Sequence, residues 1–165
     1  ASPWRSSGPD WSGVDVKLFG ALATFALVVP AGCIAVSVRE HSDTSIVGAW
    51  VVKYDKAPFP YHMQVFNADG TMQQANPDAG NAGSSDSDGK GIWIAEGAHF
   101  RGKWVEIRAD RASHAYVGRG EITFDVTISG DTFAGMAQAK FFDPAGKLSD
   151  GPIDTPVSGQ RVTLP

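Results

Sequence analysis

The stretch Leu18 to Val38, LFGALATFALVVPAGCIAVSV, runs for 21 residues without a charge. At about 1.5 Å per helical residue it reaches roughly 31 Å, close to the ~30 Å hydrocarbon core of a bilayer. Few other destinations suit so long an apolar run, and it predicts a transmembrane helix over 18–38. Pro30 would break a helix in water. In a membrane, neighbouring groups re-satisfy the freed carbonyl, and Gly20, Gly32 and the alanines offer small surfaces for helix packing. Two other readings stay open. Lys17 ahead of the run, and Pro30-Ala31-Gly32-Cys33 inside it, fit an N-terminal leader with a lipoprotein-type box, in which Cys33 would carry lipid. Against that box, Pro30 replaces the usual Leu and 17 polar residues make a long leading segment. A buried helix of a soluble protein is the third reading. Ala1 is the small residue expected after removal of an initiator methionine, which favours the retained anchor.

The anchor divides the chain into a cytoplasmic arm at 1–17, the span at 18–38, a linker at 39–45 and a β domain at 46–165. Trp4 and Trp11 in the arm suit either a membrane interface or a neighbouring protein surface. Arg5 and Lys17 precede the span, whereas Arg39 stands alone after it until Lys53. The positive-inside rule then places the arm in the cytoplasm and the C-terminal domain in the periplasm, at a bacterial inner membrane.

Composition narrows the partners. Of 165 residues, about 120 remain for one core once the N-terminal segment is set aside. The net charge of -4, with basic residues scattered, excludes nucleic acid as an expected partner. The single cysteine, Cys33, makes no internal disulfide. No Ser-His-Asp order, Walker loop, dinucleotide fingerprint or His/Cys cluster occurs, so no cofactor is expected and any catalysis would be cofactor-free. Asp86-x-Asp88-Gly89 has the beginning of a calcium loop, but Lys90 occupies the third ligand position and no glutamate closes the loop, so no metal is expected.

From Ile46 onward the periodicity is that of strands. Gly48 to Val52 opens the series, and Tyr61 to Phe66 runs into the turn Asn67-Ala68-Asp69-Gly70, which Thr71 to Gln74 leaves as the second arm of a hairpin. Strand-like runs follow at Gly91 to Ala95, Lys103 to Ala109, Gly120 to Ser129, Thr132 to Phe142 and Gln160 to Leu164. In Glu121 to Ile128 every second residue is apolar, the mark of one dry and one wet face. About eight short strands with no helical period between them predict an all-β antiparallel meander, closed as a barrel in preference to a sandwich.

Gly48-Ala49-Trp50, Phe66-Asn67-Ala68-Asp69-Gly70-Thr71, Gly91-Ile92-Trp93 and Gly159-Gln160-Arg161 together resemble the small bacterial lipocalin-like, or calycin-type, barrels. The resemblance covers 46–165 and implies an up-and-down barrel of about eight strands. It also implies that Trp50 and Arg161 form a cation–π lid beneath the barrel, a structural role. The chain lacks the disulfide of secreted lipocalins, so the architecture carries over and no particular ligand does.

His62, Gln64 and Phe66 share one strand face, and Trp93, Trp104, Glu106 and Arg108 join them in the lumen if the registers agree. His62, Gln64, Phe66, Trp93, Trp104 and Arg108 form the expected ligand-binding set, suited to a small hydrophobic molecule. His62, Glu106 and Asp88 are the acid–base candidates. For His62 the plainer reading is a hydrogen-bonded interior histidine; His99 and His114 lie beside turns, and His41 falls in the linker. The loop from Asn76 to Lys90 reads as a lid or contact loop at the barrel mouth.

Three functions follow. The leading expectation is a membrane-anchored accessory or scaffold subunit, not an enzyme, whose periplasmic barrel covers other membrane protein subunits. The second is an anchored carrier of a small hydrophobic ligand. The third is a cofactor-independent lyase, isomerase or cyclase acting in the lumen through His62, Glu106 or Asp88.

Overall fold

The sharpest local instruction in the chain is Asn67-Ala68-Asp69-Gly70. Asp69 accepts hydrogen bonds from the backbone N–H and the hydroxyl of Thr71, and Gly70 takes a φ of 84° that disfavours a side chain. Asn67 N–H closes the turn onto the Thr71 carbonyl at 2.9 Å. This turn fixes the register of the two strands it joins. Phe66 pairs with Met72 and Gln64 with Gln74, and all four side chains are buried.

This is a computed structural model, and it describes residues 45–78 and 81–165. The expected arm, transmembrane span and most of the linker, within 1–44, lie outside the described residues. Among the described residues no helix is long and apolar enough to cross a membrane. The strands are β1 (Gly48–Tyr54), β2 (Tyr61–Phe66), β3 (Thr71–Ala75), β4 (Ser84–Asp86), β5 (Gly89–Glu96), β6 (His99–Asp110), β7 (Tyr116–Ser129), β8 (Thr132–Phe142) and β9 (Leu148–Arg161). Leaving aside β4, which pairs with β6 alone, each strand pairs antiparallel with two neighbours in the circuit, and the β6–β7 and β1–β9 pairings complete it. The result is a closed antiparallel barrel of eight strands in up-and-down order, which removes the sheet edges an open meander would expose.

β6 and β7 each begin four residues before the sequence expectation, at His99 and Tyr116, and two elements differ more deeply. The last strand runs from Leu148 to Arg161, not from Gln160 to Leu164. Pro152 and Pro156 argue against a central strand, and they are tolerated because β1 pairs with β9 only from Val157 to Arg161. Upstream of Val157, β9 has β8 alone beside it, and proline is acceptable on such an edge. The other difference is β4, a three-residue strand inside the loop read as irregular; it pairs with the end of β6 that projects beyond β5.

The lumen is filled at one end. Trp50, Phe66 and Phe133 pack ring against ring, with Trp50 and Phe133 centroids 5.0 Å apart, and Ile46 and Ile128 are buried with them. Arg161 seals this end. Its guanidinium carbon stands 4.2 Å from the centre of the Trp50 ring, and it donates to the Ser45 and Val47 carbonyls and to Asp131. Trp50 itself donates to the Ile46 carbonyl at 2.8 Å.

Candidate functional site

The opposite end of the barrel holds a cavity of about 350 Å³, within the range typical of small-molecule sites. Tyr54, Trp104 and Ile122 line it among the strands, the β1–β2 loop contributes Ala57 to Phe59, and Glu106 and Arg108 bring charge into it. β6 supplies Trp104, Glu106 and Arg108 because alternate residues of a strand share a face. That alternation leaves Ile107 half exposed on the outside and Glu106 only 6% exposed within.

Glycines make the room. A Cβ at Gly89 would stand 2.5 Å from the Trp104 ring, and one at Gly120 would stand 2.7 Å from Glu106 Oε1. The indole and the carboxyl thus occupy space that larger residues on the adjacent strands would fill.

Glu106 is the most perturbed acid described. Burial pushes it up to about 7, Asp86 nearby adds to the effect, and Arg108 opposes it. Arg108 does not neutralise it outright, because its guanidinium is held by Asp86 and Ser84 at 3.1 Å each and lies 5.0 Å from the centre of the Phe141 ring. Both Asp86 and Ser84 belong to β4, so the short strand's role is to fix this arginine. Around it, Asp78 accepts from the Ser85 hydroxyl, the Asp86 N–H and Arg111, contacts that hold its carboxyl below the usual range.

His62 is locked by a chain of hydrogen bonds. Gly89 N–H donates to Gln74 Oε1 at 3.0 Å, which orients the amide so that Gln74 Nε2 donates to His62 Nδ1 at 2.8 Å. The remaining nitrogen, Nε2, is then the protonated one and donates to the Phe59 carbonyl at 2.9 Å. Burial holds the imidazole below its ordinary pKa, opposed by the Phe59 hydrogen bond, so the neutral ring is favoured. With both nitrogens engaged, His62 shapes the wall and has no free nitrogen for proton transfer.

Tyr54 and Trp104 are the unfinished part of the wall. Gln64 Nε2 donates to the Tyr54 hydroxyl at 2.6 Å. Burial pushes this phenol up to about 12, opposed by the N–H groups of Trp104 and Gln64, so it stays protonated at neutral pH. The Trp104 N–H stands near enough to the hydroxyl to act on its ionisation, yet it completes no hydrogen bond of acceptable geometry and is fully buried. Buried polar groups are rarely left in this state.

The structure brings His62, Trp104, Glu106 and Arg108 to the cavity and places the other candidates elsewhere. Gln64 lies behind Tyr54. Phe66 and Trp93 belong to the packed end, their rings 6.3 Å apart, and Trp93 donates to the Asn67 and Thr71 carbonyls of the hairpin turn. Asp88 is exposed and does not line the cavity; the carboxylate of this loop nearest the site's chemistry is Asp86. Sequence reasoning left Tyr54 out and read Asp86 only as the start of a calcium-type loop. The inward series Trp50-x-Val52-x-Tyr54 carried a signal for the first, whereas nothing near Asp86 in sequence pointed to its pairing with Arg108. Among the described residues no three His, Cys, Asp or Glu side chains converge as a metal site. No protein-family model matches the chain, and no curated protein or solved structure matches it significantly.

Proposed function

We propose that the barrel binds a small, largely apolar molecule through a carbonyl oxygen. One observation carries this reading: Trp104 lines a largely apolar cavity, and its buried indole N–H, set beside the Tyr54 hydroxyl, completes no hydrogen bond among the described residues. A ligand oxygen would satisfy it. The Tyr54 hydroxyl beside it keeps its own proton available, because the hydrogen bond from Gln64 uses the oxygen as acceptor. The closed circuit and the Trp50–Arg161 contact support placing the domain among lipocalin-like barrels, for which an end cavity is a natural ligand site.

Cyclohexanone and methylenecyclohexane have nearly the same shape and differ in the acceptor oxygen. Titrated into the full chain, the ketone is expected to bind at least about tenfold more tightly, the worth of one buried hydrogen bond. Trp104→Phe should erase that preference. Equal binding of the two probes, or a preference that survives Trp104→Phe, overturns the reading.

A second reading concerns a different surface. Val51 and Met63 are paired neighbours on the outer wall, Val65 lies opposite Ala49, and all three large side chains are exposed. Such an apolar patch suits a protein partner. Together with the apolar 18–38 segment, it supports an accessory subunit anchored in a bacterial inner membrane, its barrel on the periplasmic side against other membrane subunits. Gentle detergent extraction followed by intact-mass analysis should recover those subunits and report whether Cys33 carries lipid. Recovery of the chain alone in the aqueous fraction overturns this second reading.

A further inference from the structure

Trp104 and Glu106 are two residues apart on β6 and face the same cavity, which sets their Cα atoms about 7 Å apart. That spacing leaves room for a short carbon skeleton between a group that holds an oxygen and a group that reaches a neighbouring carbon. The Glu106 carboxyl leans towards Gly120, its partner across the β6–β7 pair, and no hydrogen bond among the described residues acts on it. Binding a neutral ketone needs no such group. A buried carboxyl costs stability unless something uses it.

We propose that the cavity catalyses a cofactor-independent 1,3-proton shift in a β,γ-unsaturated ketone, with Glu106 carrying the proton and the Trp104 N–H and Tyr54 O–H holding the ketone oxygen. The inference rests on the carbonyl-binding reading above. The Glu106 carboxylate removes a proton from the carbon between the carbonyl and the alkene. The C–H electron pair becomes a new C=C bond, and the carbonyl π pair moves onto oxygen, where the two donors stabilise the dienolate. Glu106, now a carboxylic acid, returns the same proton to the γ carbon. The alkene moves into conjugation, the carbonyl re-forms and the carboxylate is regenerated. Atoms and charge balance with no co-reactant.

The electrostatics suit both halves of this cycle. A carboxyl pushed up to about 7 by burial and by Asp86 is present as base and as acid in comparable amounts near neutral pH. The titratable and charged groups that share its cavity are Asp86 from β4, Arg108 from β6, Tyr54 from β1 and His62 from β2. Lys56, Asp78 and Asp150 lie on loops and strand ends that complete the lining. Arg108 is engaged by Asp86 and Ser84, and His62 has both nitrogens in use, so Glu106 is the group left to move a proton.

The test uses the full chain with cyclohex-3-en-1-one, following the ultraviolet absorbance of the conjugated product, cyclohex-2-en-1-one. Expected are turnover above the buffer rate and a kcat/KM profile that breaks near pH 7. Glu106→Gln should slow turnover at least about 100-fold, as for loss of a general acid–base group, while still binding the ketone by ligand-observed NMR. Trp104→Phe should lower kcat by about tenfold or more. If Glu106→Gln fails to fold, Glu106→Asp, which withdraws the carboxyl by one methylene, should turn over more slowly with the pH break retained. Ketone binding without isomerisation, or an unchanged rate in Glu106→Gln, overturns the inference and leaves the binding reading standing. Failure of the ketone to bind overturns both.

Discussion

Two tryptophans mark the two ends of the barrel, and their surroundings treat them in opposite ways. Trp50 has its N–H on the Ile46 carbonyl, a guanidinium over its face and Phe133 beside it. Trp104 is also buried, but it borders a cavity and its N–H has no completed partner among the described residues. The same contrast runs through the charged residues. Arg161 reaches two carbonyls and a carboxylate at the packed end, whereas the Glu106 carboxyl at the cavity end accepts no hydrogen bond among the described residues. One end is arranged so that every strong group is satisfied internally. At the other, strong groups are held in place by their neighbours and left for something else to satisfy. The packed core and the proposed binding site thus lie at opposite ends of the barrel, and substitutions at the two ends should divide accordingly.

The largest effect is expected at the packed end. Arg161→Ala strands the Ser45 and Val47 carbonyls and uncovers Trp50, and it should cost about 3 to 5 kcal/mol in urea unfolding of the full chain. Cyclohexanone affinity of the remaining folded fraction should not change. A loss below about 1 kcal/mol would mean that the seal contributes little and that the contrast between the ends is false.

The next effect concerns pH and comes from the cavity end. Glu106 rises from 4.5 to about 7 on folding, so between those values the folded chain binds more protons than the unfolded one. Stability contributed by this group is therefore full below about 4.5 and falls as pH rises through about 7, by roughly 3 kcal/mol in total. His62 acts in the opposite sense. Its folded pKa is lowered, so its contribution grows as pH rises towards 6.5. Comparison with Glu106→Gln isolates the carboxyl: the variant should match the parent near pH 4 and exceed it at pH 8. Equal stability of the two proteins at pH 8 would show that Glu106 ionises without penalty.

A smaller effect belongs to the chain that locks His62. Gln74→Leu leaves the Gly89 N–H and His62 Nδ1 without partners and should cost about 1 to 3 kcal/mol. In a histidine-selective NMR titration the imidazole should also change its tautomer balance, since the donor to Nδ1 is gone. An unchanged tautomer would show that the Phe59 carbonyl alone sets it.

Much of the packed end was legible in the sequence, and so were His62 and the inward face of β6 at the cavity end; the partners that set their environment were not. The Asn67 to Gly70 turn, the alternation of β7 and the Gly-x-Trp of β1 all act locally, through backbone torsions and apolar periodicity, and a linear reading can detect such signals. β4 escaped because Ser84-Ser85-Asp86 carries no apolar residue; its place comes from pairing with Arg108 and its neighbours, distant in sequence. Most of β9 escaped because its prolines count against a strand unless one knows that half of it lies on an edge. The inward face of Trp104, Glu106 and Arg108 was legible from strand alternation, and Trp104 and Glu106 are both buried on it. What the linear reading could not supply is the acid's environment, because Gly120 across the strand pair and Asp86 on β4 are distant in sequence.

The smallest expected change in stability bears most directly on the contrast between the two tryptophans. Trp50→Phe deletes a donor with a partner, leaves the Ile46 carbonyl unpaired and weakens the contact with Arg161, and should cost about 2 to 3 kcal/mol. Trp104→Phe deletes a donor that has no completed bond. It loses some packing against Gly89 and Tyr54, but the unmet desolvation of the N–H disappears with it, so the net change should stay within about 1 kcal/mol. The substitution should nonetheless remove the preference for a ketone over its hydrocarbon counterpart, separating folding from binding in one residue. If Trp104→Phe instead costs as much as Trp50→Phe, its N–H is bonded to Tyr54 in solution. The cavity would then lack its unsatisfied donor, and both ends of the barrel would be satisfied from within.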